Sequence, residues 1–201
     1  KWTYLAKEIE AAGADALELN LFMLPSDFDR SSEENEKVYK EIVSEVKKNT
    51  HLPLSVKISF YSSNLGSKIL KLADTGVKGV VLFNRFYNFD FDIETLHVTS
   101  QNVLSSPDDY ALSLRWIAIM AERTDIDLAA STGIHNGRTM IKQLLAGAKA
   151  VQIASTLYKN GNEQIRKMLE ELEEWMKRNN YTKLDDFVGK MSQSKNANPA
   201  A

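Results

Sequence analysis

Five times along this chain a short run of aliphatic and β-branched residues is followed, within a few positions, by a segment of helical periodicity. The runs are residues 15–21 (DALELNL), 54–59 (LSVKIS), 79–83 (GVVLF), 127–131 (DLAAS) and 150–154 (AVQIA). Their lengths suit strands, and the segments behind them predict helices over 33–48, 65–75, 106–124, 137–146 and 162–178. Val38, Ile42, Val43 and Val46 form the stripe of the first helix, Ile69, Leu70, Leu72 and Ala73 that of the second. The last buries Ile165, Met168, Leu169, Leu172 and Met176. Ser31 and Ser32 are candidate caps, Gly76 a stop, and Ser106-Pro-Asp-Asp109 carries the proline and capping acid of a helix start. A strand that returns parallel to its predecessor needs such a crossover, so the alternation implies a parallel sheet with right-handed connections. An open doubly wound sheet and a (β/α)8 barrel both satisfy it. In either, ligands gather at the carboxyl ends of the strands.

Three stretches stand outside the alternation. Trp2, Leu5, Ile9 and Ala12 share one face of an opening helix that Gly13 closes. Residues 84–105 are too long for an ordinary connection and contain the alternating FDFDIETLHV, which predicts a hairpin or lid. A short helix near 184–189 precedes a polar tail, 192–201, expected to be disordered. Residues 1–191 read as a single domain.

Composition narrows the partners. With 25 Lys+Arg against 27 Asp+Glu the net charge is -2, and no basic block points to nucleic acid. The chain has no cysteine, and His51, His97 and His135 lack the spacing of a zinc site, so neither disulfides nor a metal centre is expected. No apolar run approaches the roughly 20 residues needed to span a bilayer. No membrane partner is expected, and cytoplasmic placement is the default.

The strand ends carry Asn20, Lys57, Asn84, Thr132-Gly133 and Ala154-Ser155. Lys57 interrupts an apolar strand, where an unpaired ammonium is costly to bury, so it either points outward to solvent or meets an electron-rich acceptor. Asn20 and Asn84 suit turns and caps as well as ligands. The segments STGIHNG (131–137) and ASTLYKNG (154–161) are two successive strand-to-helix turns rich in Gly, Ser and Thr. Their backbone N–H groups and a helix N-terminus suit an anion, and the last two turns of a barrel are its usual phosphate grip.

These residues also carry a resemblance. The stretch STGIHNGRTMIKQLLAGAKAVQIASTLYKNGNEQIRKMLEELEEWMKRNNYTKLDDFVGK is similar to the C-terminal region of the dihydroorotate dehydrogenase family. GADALELNL, VKIS and VLFN resemble the same family's earlier strands in matching order, and the likeness runs over residues 1–191. It implies a (β/α)8 TIM barrel, of which this chain shows about five βα units, strands 4–8. It also implies FMN over the strand ends and oxidation of dihydroorotate to orotate in pyrimidine biosynthesis, with hydride passing from a small cyclic substrate to flavin N5. On that resemblance Asn20 touches flavin and substrate, Lys57 faces the flavin pyrimidine edge, Phe83 gives backbone contact to the flavin, and Asn84 binds substrate. Thr132 and Gly133 stand for a usual Gly-Gly pair, Ala154 and Ser155 for Gly-Thr, and these four hold the ribityl phosphate.

The departures are specific. The family's base position, Cys or Ser, falls on Met23, whose thioether takes no proton at neutral pH. Arg85 replaces the small polar residue after the substrate asparagine. A barrel needs eight βα units, so the 201 residues are expected to be the carboxyl part of a longer chain. The alternative is a non-catalytic or truncated relative that keeps the fold and binds FMN, another phosphate ligand or a partner chain. A barrel lyase or isomerase lacks a carboxylate base at a strand end; Glu18 is the one acid well inside a strand, and a structural ion pair is its other reading. The sequence is silent on the electron acceptor, and a homodimer stays open.

Overall fold

The computed structural model describes residues 2–86, 88–101 and 103–195. The chain opens with α1 (Trp2–Ala11), β1 (Leu17–Asn20), α2 (Ser32–Lys47), β2 (Leu54–Ile58), α3 (Leu65–Ala73) and β3 (Gly79–Leu82). A hairpin of β4 (Asn88–Asp92) and β5 (His97–Gln101) follows, then α4 (Tyr110–Met120), β6 (Asp127–Ser131), α5 (Gly137–Ala146), β7 (Ala150–Gln152), α6 (Ser155–Asn160) and α7 (Glu163–Arg178). The five strands β1, β2, β3, β6 and β7 form one parallel sheet in that spatial order, and β4 pairs β5 antiparallel. Sequential order in a parallel sheet, each strand followed by a covering helix, is the arrangement of a barrel wall. The doubly wound alternative is excluded, because its strand order reverses at a switch point.

The period-2 alternation of the strands explains the layering. Leu19, Leu54, Val56, Ile58, Val80, Leu82, Leu128 and Ala130 point to the helices and are buried. Each Leu, Val or Ile side chain there contributes about 1.5–3 kcal/mol by leaving water. The other row, Glu18, Ser55, Gly79, Val81, Ala129, Ala150 and Gln152, is small or polar and lines the concave face. Strand pairing runs one residue beyond the regular strands, through Leu21 N–H to Lys57 O at 2.9 Å and Asn84 N–H to Ile58 O at 2.8 Å.

Local signals account for most element ends. Ser31 and Glu34 form a reciprocal capping box on α2, Gly76 adopts φ +79 after α3, and Gly13 adopts φ +88 after α1. The predicted hairpin is present in 84–105. Five expectations are corrected. The helix at 106–124 begins as a 3-10 turn at Pro107–Asp109 and ends at Met120. Residues 155–160, read as a turn, form α6, and the helix at 184–189 is one 3-10 turn, Leu184–Asp186. Nor does the tail begin loosely at 192: Ser192 is buried and Lys195 Nζ lies 2.8 Å from Glu122 Oε1. The rest of that tail, 196–201, lies outside the described residues. Finally, the stripe of α1 is not a buried one, since Ala6 alone of the helix is buried while Trp2, Leu5 and Ile9 are exposed. No helix among the described residues is long and apolar enough to cross a membrane.

Candidate functional site

At the carboxyl ends of the strands the sheet opens into a cleft of about 1080 Å3. Lys57, Arg85, Thr132, Gly133, Ala154 and Ser155 all line it, so six residues singled out in the sequence converge on one space. Lys57 points into the concave face rather than out to solvent, because its neighbours Val56 and Ile58 take the buried outer row. Its Nζ donates to Gln152 Oε1 at 2.8 Å, and Gln152 Nε2 in turn donates to Glu18 Oε2 at 2.6 Å. Glu18 thus forms a hydrogen bond with Gln152, while its charge acts on Lys57 at longer range. Burial pushes the Lys57 ammonium below its ordinary pKa, and the Glu18 carboxylate opposes that shift.

Asn20 and Asn84, on β1 and just after β3, are brought together: Asn84 Nδ2 donates to Asn20 Oδ1. Asn84 is 3% exposed, and its Oδ1 is a buried acceptor with no donor among the described residues. Leaving such an atom unmade costs about 1–3 kcal/mol, which marks Asn84 as a candidate contact for a ligand. Phe83 precedes it and is buried, its carbonyl taking the Thr132 hydroxyl at 3.4 Å. Above this pair lies an aromatic cluster that the sequence reading did not assemble. Phe22 stacks on Phe86 with ring centroids 4.0 Å apart, Tyr61 meets Phe86 edge-on at 5.2 Å, and Phe60 bridges Tyr61 and Phe83. Of the apolar segment after Asn20, Phe22 is the residue that joins these rings.

Met23 does not join the group. It is half-buried against the core, its carbonyl accepts the Ser59 hydroxyl at 3.0 Å, and its side chain lines a different cavity. Arg85 is placed at the cleft, with its guanidinium engaged by Val103 O at 2.8 Å, Leu104 O at 3.3 Å and Asp109 Oδ2 at 3.5 Å. It ties the segment after the hairpin to the start of α4.

The two Gly/Ser/Thr turns sit side by side. Thr132 and Gly133 adopt φ +80 and +76, and a Cβ on Gly133 would lie 2.2 Å from the Tyr110 backbone nitrogen, so only glycine fits there. A β-branched threonine at positive φ is a strained residue. Among the described residues the backbone N–H groups of Gly133 and Ala154 donate to nothing in the chain. The helix N-terminus expected to help them is already filled. The Glu171 carboxylate, from α7, takes the Gly137 N–H at 2.6 Å, the interaction that a helix dipole favours. An anion in the cleft would therefore be held by the turns and not by α5.

Beside these turns the Ser155 hydroxyl accepts the Ser105 N–H at 2.9 Å, and Ser105 Oγ meets His135 Nε2 at 3.0 Å. Burial, then the charge of Lys159, lowers the His135 pKa. Gln152 was missed in the sequence reading although it sits on the inward row near the end of β7, as Lys57 does on β2. That shared parity is the signal that could have found it. No group of three His, Cys, Asp or Glu among the described residues could hold a metal.

Chemically, the cleft offers two cations, Lys57 and Arg85, and free N–H donors on Gly133 and Ala154, with the Asn20–Asn84 amide pair on the same strand-end rim. These suit a flat hydrogen-bonding ring at one end and an anionic tail at the other. The family model described as dihydroorotate dehydrogenase matches residues 1–176. The chain is 29% identical, over 94% of its length, to the catalytic subunit of dihydroorotate dehydrogenase B (NAD(+)) of Thermoplasma volcanium, and covers 64% of that protein. It is 28% identical over 75% of its length to the same subunit of a Geobacter species, covering 50% of it. A crystal structure of DHODH in complex with ferulenol from Eimeria tenella superposes with a TM-score of 0.68 at 21% identity, over 93% of this chain and 57% of that one. That structure shows the shared fold. The chain thus spans between half and two-thirds of the relatives it matches.

Proposed function

This chain belongs to the dihydroorotate dehydrogenase family, and from that premise we propose that its cleft holds FMN and a dihydroorotate-like ring. The observation that carries the reading is the Asn20–Asn84 pair, with the donorless Asn84 Oδ1, on the same rim as Lys57. The residues fit the cofactor. Lys57 would lie at the pyrimidine edge of the flavin, Phe83 would contact it through the backbone, and the N–H groups of Gly133 and Ala154, beside Thr132 and Ser155, would take the phosphate. When bound, FMN supplies a two-electron acceptor.

The chain's own residues do the rest. Asn84 offers its free Oδ1 to a ring N–H of the substrate, and the hydrogen bond from its Nδ2 to Asn20 Oδ1 fixes which atom faces inward. The Phe22–Phe86 stack and Tyr61 cover the site against water. Lys57, held by Gln152, would place its charge at the pyrimidine edge of a bound flavin, where it would favour the electron-rich form. Arg85, next to Asn84, supplies charge attractive to a substrate carboxylate. The relatives are named for NAD(+) and as catalytic subunits, which supports NAD(+) as the final acceptor and a partner subunit for the whole protein.

The second reading, an FMN-binding relative without turnover, is favoured by one observation. Met23 stands at the base position, cannot accept a proton and lines another cavity. One experiment separates the two. The purified chain is incubated with FMN, desalted and mixed anaerobically with dihydroorotate while the visible absorbance of the flavin is followed. Bound flavin that bleaches supports the dehydrogenase, bound flavin that stays yellow supports the second reading, and a protein that retains no FMN overturns both.

A further inference from the structure

A second cavity, of about 280 Å3, is walled by α2, α3 and the loops after β1 and β2. Met23, Pro25, Tyr39 and Tyr61 make most of its wall apolar, and Ser62 and Ser63 add hydroxyls. Lys68, in the first turn of α3, lines it and is 4% exposed. Its Nζ lies 3.8 Å from the centre of the Tyr39 ring, and neither a hydrogen bond nor an ion pair reaches it among the described residues. The ring covers one side of an ammonium that has three N–H donors to satisfy. The neighbouring carboxylate, Glu36, is spent on Lys71 Nζ at 2.7 Å.

The buried Lys68 ammonium therefore has no carboxylate in contact with it: Glu36, which also lines the cavity, is bonded to Lys71, and Glu33 adds to the charge around Lys71 at longer range. A buried ammonium with no contacting anion is a costly state for a chain to keep unless something supplies one. The cavity is just below the size of ordinary ligand pockets and combines an apolar wall with a few convergent polar groups. We propose that it binds a small organic monoanion with an apolar body. A carboxylate would sit on Lys68 Nζ and the Ser62 and Ser63 hydroxyls, and its hydrocarbon part on Met23, Pro25 and Tyr61. Because Met23 and Pro25 belong to the loop that follows Asn20, the occupant would also brace that loop. The site is separate from the cleft at the strand ends and does not depend on what that cleft binds.

The groups facing Lys68 are Glu36 and Tyr39 from α2, Tyr61 from the loop after β2, and Lys71 on α3, which also feels Glu33. Burial, opposed by Glu36, brings the Lys68 pKa down to about 8, so its charge fades between about pH 7 and 9. Benzoate is the probe. Titrated into the protein at pH 7 against sodium chloride of equal ionic strength and followed by calorimetry, it should bind with a Kd on the order of 1 mM. Affinity should fall about tenfold at pH 9 and at least about tenfold in Lys68→Met, which keeps the apolar stem. Equal affinity in Lys68→Met overturns the proposal, as does the absence of saturable binding to the unaltered chain. Benzoate taken up by the strand-end cleft would bind both proteins alike and overturns it too. If circular dichroism shows Lys68→Met unfolded, the pH series on the unaltered protein decides: affinity that holds or rises from pH 7 to 9 overturns the site.

Discussion

The two flanks of the cleft are built from different materials. On the β6–β7 flank the features that suit an anion are main-chain features, the positive-φ pair Thr132–Gly133 and the free N–H groups of Gly133 and Ala154. On the β1 flank the proposed chemistry would need one particular side chain, a proton acceptor, at the position where the resemblance places Met23. Threonine for glycine, alanine for glycine and serine for threonine, the exchanges the resemblance implies on the first flank, would leave a main-chain site standing, because the N–H groups stay where the backbone puts them. On the other flank a single exchange would remove the proton acceptor outright. Sites written in backbone tolerate drift that sites written in side chains do not.

The sharpest way to break this contrast is at Gly133. Gly133→Val would place a branched side chain at φ +76 and against the Tyr110 backbone. The expected loss is about 3 kcal/mol or more of stability by urea unfolding, with FMN retention lost. Thr132→Gly should act the other way. Relief of the strain at φ +80, less the entropy of an added glycine, should raise stability by about 1 kcal/mol and leave FMN retention unchanged. A Thr132→Gly variant that binds FMN more weakly would mean that the threonine side chain, not the backbone, makes that flank. The smallest effect is expected at Met23→Cys. A thiol there would line the cavity beside Lys68 rather than the Asn20–Asn84 pair, so anaerobic bleaching by dihydroorotate should not increase. Bleaching restored by that one change would show that the loop swings inward when the cleft fills.

The sequence made some of this legible and hid the rest for identifiable reasons. Five strands and their helices announce themselves because the signal is local: a stripe at helical spacing, a capping serine, a glycine after the last turn. Lys57 was readable as inward-facing or solvated, and the burial of Val56 and Ile58 decides it. The clustering of Asn20, Lys57, Asn84 and the two late turns follows from strand order once the sheet is parallel. The bond from Asn84 to Asn20, the Glu171 carboxylate on Gly137 and the ring stack over the site join residues far apart in the chain, and no periodicity encodes them. The stripe on α1 teaches the complementary point. Spacing told that Trp2, Leu5 and Ile9 share a face, but a pattern cannot say what lies over that face, and among the described residues it is exposed.

One hydrogen bond has a geometric meaning beyond the chemistry of the cleft. Glu18 is on one border strand of the sheet and Gln152 on the other, 134 residues later, yet their side chains touch at 2.6 Å. Five strands laid flat would hold those borders about 19 Å apart at the usual strand spacing. Two side chains can close that span only if the sheet is bent into an arc whose chord is bridged from both sides. The curvature of a barrel is therefore already present in this chain, set by its own strands and fastened by a glutamine and a glutamate, like a bow held by its string.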